Sequence, residues 1–231
     1  MANAFNYMFE DRTFGIKAFC IFILVTMSLL AGVFDSKESF IPLIITGVSG
    51  ILIFGHFYEC INSLKNIDET VTLPYLKPKT FWVGIKGGIG AMALNIAVGF
   101  VSVFTMYIPA IMIALSYPAI IAVYASDYKI SSFFALHKAF FIIKNNIWKY
   151  IITLLILIFY TSLITTAMFI ILNALGIKAI DLVTNGHLTH NIFSVTLFMS
   201  LFYTYNLYIF AYLISDLNKI KNCDIKEENF A

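Results

Sequence analysis

Residues 81–126 decide how this chain is organised: FWVGIKGGIGAMALNIAVGFVSVFTMYIPAIMIALSYPAIIAVYAS. These 46 residues contain one charge, Lys86, and no polar loop. Read as one helix they would run about 69 Å at 1.5 Å per residue, more than twice the roughly 30 Å of membrane hydrocarbon. Two spans fit, 81–104 and 108–125, with the turn at Tyr107-Ile108-Pro109. Four further segments are span-length without ambiguity: 16–34, 40–57, 150–172 and 192–214. The expected fold class is therefore all-α, a polytopic membrane protein forming one domain over 1–231. It is a bundle of six transmembrane helices with short interfacial helices on the cytoplasmic side.

Lysine placement tests the division of 81–126 independently. With six spans, 13 of the 15 basic residues fall on one side and only Lys37 and Lys178 on the other. With five spans they divide 7 to 8, which is no bias. Basic residues stay in short cytoplasmic loops, so six spans with both termini cytoplasmic is the expected topology, in the cell membrane. Composition agrees: the chain is 60% hydrophobic, 12% charged and has a mean hydropathy of +0.87. An average soluble domain carries about 25% charged residues. Net charge +2 gives no footprint for nucleic acid, and three scattered cysteines give no disulfide framework. Glu10 and Asp11 precede the first apolar run, which is span-length and reads as a retained span rather than a cleaved signal.

The cytoplasmic segments carry interfacial signals. Phe5, Met8 and Phe9 share a helical face ahead of the first span, and 130–146 sets Phe133, Phe134, Phe140 and Phe141 among His137, Lys138 and Lys144. Trp82 and Trp148 stand at span ends, where an amphipathic ring prefers the interface. Ile61, Leu64 and Ile67 continue the period of the second span until Leu73-Pro74 stops it, and Pro74 and Pro78 stiffen the link to the third.

No Asp, Glu, Lys or Arg lies deep in a span; Lys17 and Lys86 sit in first turns and are expected to snorkel. That counts against proton relays and voltage sensors. In the third span Gly84, Gly88, Ala91, Asn95, Gly99 and Ser102 form a small and polar stripe, expected to pack against a neighbouring helix with Asn95 hydrogen-bonded to it. Thr161, Ser162, Thr165 and Thr166 pair at i, i+4, and Tyr205, Tyr208 and Tyr212 share a face beside Asn206. Gly47-Val48-Ser49-Gly50 matches the Gly-x-Ser-Gly of rhomboid proteases, but His56 lies about 10 Å along the same helix, too far to serve Ser49 as a base. Asp181, His187 and His190 have loose zinc-like spacing and read as an exposed polar loop. His56, Glu59 and Cys60 read as interface residues. No catalytic, cofactor-binding or metal-binding residue is assigned, and no cofactor is expected.

Phe5–Met27, Gly55-His56-Phe57-Tyr58, Leu73-Pro74, Phe81–Gly88 and Tyr128 with Ser131–Tyr150 together resemble the prokaryotic domain-of-unknown-function 4013 family. His56 stands where that family prefers Tyr, and Tyr75-Leu76 where Glu-Trp is usual. The resemblance implies a six-span membrane protein with no assigned activity. The functional expectation is a non-enzymatic membrane component, in contact with the lipid bilayer and with a homo-oligomeric or membrane-protein partner. A small transporter or permease subunit is the alternative.

Overall fold

The computed structural model describes residues 11–33, 40–64, 73–105, 107–145, 147–174 and 190–218. The N-terminal Phe5–Phe9 segment, Ile67, and the loop with Asp181 and His187 lie outside these residues. Among the described residues there is no strand, and seven α-helices follow in order: α1 Phe14–Val33, α2 Ile41–Ser63, α3 Pro78–Phe104, α4 Ile108–Asp127, α5 Leu136–Asn145, α6 Ile147–Ala174 and α7 His190–Asn218. All but α5 are long and apolar enough to cross a membrane. A six-span bundle is thus the architecture.

The turn inside 81–126 falls where the sequence puts it. Tyr107 adopts a left-handed conformation (φ 63°) between α3 and α4, and Pro109 starts the new helix, where its missing N–H costs nothing. Tyr128 is left-handed too (φ 54°) and ends α4. Pro78 opens α3 after an extended Lys77.

Helix α2 runs past the 40–57 span to Ser63, in keeping with the period that Ile61 and Leu64 continue, and Tyr58, Glu59, Cys60 and Ile61 face the bundle and are buried. One feature differs from the sequence expectation: 130–146 is not one surface helix. A 3-10 turn, Ile130–Phe134, precedes α5, and Phe133 is fully buried. Its ring fills the notch left by Gly90 on α3 and lies 4.8 Å from the Tyr124 ring. Phe134, Phe140 and Phe141 remain about half exposed, as an interfacial segment requires. Trp82 and Trp148 are exposed at the starts of α3 and α6.

The core gathers at the lysine-rich end, where α1, α3 and α6 begin and α2, α4 and α7 finish. The α2/α3 crossing is closest there. A Cβ on Gly55 would stand 2.0 Å from the Thr80 carbonyl oxygen, and one on Gly84 would stand 1.9 Å from that of Ile51. Two glycines therefore let the backbones touch, the contact that small residues make possible inside membranes. Tyr58 and Tyr124 then meet edge to face over Gly87, and the Tyr124 hydroxyl donates to the Val83 carbonyl at 2.6 Å.

Candidate functional site

The close α2/α3 crossing brings polar groups together at the lysine-rich end. Asp11, just ahead of α1, is 8% exposed and Lys17, in its first turn, is 5% exposed. Lys17 Nζ donates to Asp11 Oδ2 at 2.7 Å, and the same oxygen accepts the Leu73 amide at 2.8 Å. Asp11 Oδ1 accepts the amide and hydroxyl of Thr13 at 2.8 and 2.7 Å. The Lys17 ammonium also sits 4.2 Å above the Tyr75 ring, a cation–π contact. Lys17 therefore does not snorkel: its charge is neutralised inside the protein. Lys86, by contrast, is exposed.

The ion pair has an electrostatic signature. Burial pushes the Asp11 carboxyl up, but the Lys17 ammonium, the Thr13 donors and the Leu73 amide outweigh it and hold it at about 2. Tyr128, beyond the end of α4, is pushed the other way: burial raises its hydroxyl to about 12 against a hydrogen bond from Asn62 that lowers it.

One turn deeper, α2 contributes His56, Glu59 and Cys60, all buried. His56 Nε2 lies 3.1 Å from the Tyr208 hydroxyl of α7 and 3.4 Å from Cys60 Sγ. The Thr80 hydroxyl donates to Glu59 Oε2 at 2.6 Å and accepts the Lys77 amide at 3.0 Å. Glu59 thereby locks the start of α3 to the end of α2. His56 thus ties α2 to α7, and Glu59 ties it to α3, while the Cys60 contact stays within α2. Cys60 is 0% exposed, so no substrate reaches its sulfur as the chain stands. His56 Nδ1 is left without a hydrogen bond.

The remaining polar residues do not converge. Ser49 is buried in α2, and Gly47 beside it is exposed. The third-span stripe splits: Gly84 and Ser102 are buried, whereas Gly88, Asn95 and Gly99 face outward. A Cβ at Gly88 or Gly99 would meet open space. The stripe is therefore not one intramolecular packing face, because α3 turns only its Gly84, Gly87 and Gly90 notches inward. Thr161, Ser162, Thr165 and Thr166 are exposed; Thr161 donates to the Leu157 carbonyl and Thr165 to that of Thr161. These hydroxyls satisfy themselves on their own helix. On α7 a hydroxyl run unread in the sequence, Thr196, Ser200 and Thr204 at i, i+4, i+8, is buried; Ser200 donates to the Thr196 carbonyl and Thr204 to that of Ser200. Asn206 is buried, and its Oδ1 makes no hydrogen bond.

Comparison adds no assignment. No family model, no curated protein and no solved structure matches the chain. Among the described residues no three His, Cys, Asp or Glu side chains group as a metal site.

Proposed function

We propose that this chain is a non-enzymatic, multi-pass component of the cell membrane that works in contact with a second copy or another membrane protein. One observation carries the reading: Asn95 is exposed on the outer face of α3, with exposed Gly88 and Gly99 on either side of it. Asn95 is residue 18 of the 27 in α3, well inside the hydrocarbon if the helix spans it. Lipid offers an amide no hydrogen-bond partner, whereas a neighbouring helix does, and glycines allow that helix close approach. In this reading the lysine-rich end is cytoplasmic, as basic loops require. The likeness to the domain-of-unknown-function 4013 family belongs to the same proposal.

The transporter alternative needs its polar groups on one path. Asn95 and the α6 hydroxyls face outward while Asn206 faces in, so they line no common route.

The test uses the open space around Gly99. A Cβ on Gly99 meets nothing within 4 Å among the described residues and Gly99 is exposed, so Gly99→Leu is expected to leave the monomer's thermal stability in mild detergent unchanged. Association, read as particle mass or as a co-purifying protein, is expected to fall about tenfold or more with Gly99→Leu and with Asn95→Leu. A wild-type chain that purifies alone as a monomer, or an association that both variants leave intact, sinks the reading.

A further inference from the structure

A cavity of about 530 Å³ lies between α1, α2, α4, α6 and α7. Its walls are almost wholly apolar, including Val25, Phe57, Leu157 and Phe210. At roughly 30 Å³ per water-sized group, it holds on the order of fifteen non-hydrogen atoms. That volume lies in the range of small-molecule pockets, which combine apolar walls with a few placed polar groups. Phe54 and Tyr203, two of its lining residues, are 58% and 46% exposed, so the cavity opens onto the outer surface of the bundle.

Asn206 is the polar group that makes this more than a gap between helices. It is 95% buried by its 5% exposure, it lines the cavity, and its Oδ1 has no hydrogen-bond partner. A buried amide oxygen left unpaired is destabilising, and no water is expected in so apolar a space. The terminal torsion of an asparagine is broad and roughly two-fold, so turning the amide presents this oxygen, itself closed to solvent, to the cavity. Asn206 stands 17 residues along the 29-residue α7, near the middle of the span. An occupant must therefore arrive through the lipid.

We infer that this cavity binds a hydrophobic small molecule carrying one N–H or O–H donor, which it gives to Asn206 Oδ1. The apolar walls supply affinity, and the amide selects molecules with a donor over plain hydrocarbon. An acyl tail fills the same space but leaves Asn206 unpaired, so the two occupants differ in one measurable respect. The inference is independent of the assembly proposed for α3, because the cavity lies inside a single chain.

The probes are 1-aminoanthracene, which fits the volume and has an amine donor, and anthracene, nearly the same shape without one. Binding is measured by fluorescence to the full chain in lipid nanodiscs, with empty nanodiscs subtracted. The expected result is saturable binding with 1-aminoanthracene preferred about tenfold, the worth of one neutral hydrogen bond. Asn206→Leu should erase that preference, and Val25→Trp, which fills the cavity, should abolish saturation for both probes. Should Asn206→Leu fail to fold, the wild-type preference and the Val25→Trp result decide alone. Non-saturable partitioning, equal affinity for the two probes, or a preference that survives Asn206→Leu overturns the inference.

Discussion

At the scale of the residue, Asp11 and Lys17 do the most with the least sequence. Their ion pair is nearly dry, so removing one partner strands the other charge. Asp11→Asn or Lys17→Met is expected to cost about 3–5 kcal/mol, read as a lower unfolding midpoint in mild detergent. The double variant should cost much less than the sum, because it leaves no unpaired buried charge. Additive losses would mean that the two side chains act separately. The pair also sets an acid limit. The Asp11 carboxyl is held at about 2 in the folded chain, below its ordinary 3.8, so the stability it gives is fully present above that ordinary value. It is lost as pH falls from about 4 toward 2, an amount of roughly 2 kcal/mol. Wild type should lose that increment over this window in an unfolding titration, while Asp11→Asn should not. The sequence placed Lys17 in a first turn and Asp11 six residues earlier, and snorkelling was the expectation. What it did not contain was the Leu73 amide and the Tyr75 ring, which reach the pair only through the fold.

At the scale of the element, the legible parts were those governed by local rules. The number of spans, the Tyr107–Pro109 turn and the outward-facing Trp82 and Trp148 follow from hydropathy and proline chemistry, and the structure keeps them. Which face of a helix turns inward did not follow. On α3, glycines at 84, 88 and 99 look alike in sequence, yet only the first sits at a crossing, while Gly87 and Gly90, outside the stripe, receive aromatic rings. The inward face is chosen by the tyrosines and Phe133 that need notches, and those come from α2, α4 and the 3-10 turn. The crossing itself can be tested within α2. Gly55→Ala pushes a methyl onto the Thr80 backbone oxygen, which no rotamer change relieves, and should cost about 3 kcal/mol, the upper end for overpacking. Gly47→Ala, with open space around it, should be neutral or gain up to about 1 kcal/mol in helix propensity. Equal midpoints for the two would show that α2 and α3 do not touch at Gly55.

At the scale of the whole molecule, the charges sort themselves along the bundle. Exposed Lys77, Lys79, Lys86, Lys129, Lys138 and Lys144 lie on α3's first turns, after α4, and on α5, all near the end where Asp11 meets Lys17. The opposite end of the α3/α4 pair, at Tyr107, is exposed and carries no charge between Lys86 and Asp127. This asymmetry is what orients a multi-span chain during insertion, and it predicts opposite labelling of the two ends. The test keeps Cys60, which is fully buried, and replaces Cys20 and Cys223 by serine. A single cysteine at Tyr107 should then react with a membrane-impermeant maleimide in intact cells, and one at Lys138 only after the membrane is opened. Because α3 and α4 are separate spans, the two sites must lie on opposite sides whichever way the protein inserts. Labelling of both from one side would overturn the six-span arrangement itself, and labelling of Lys138 alone from outside would keep the bundle but invert it.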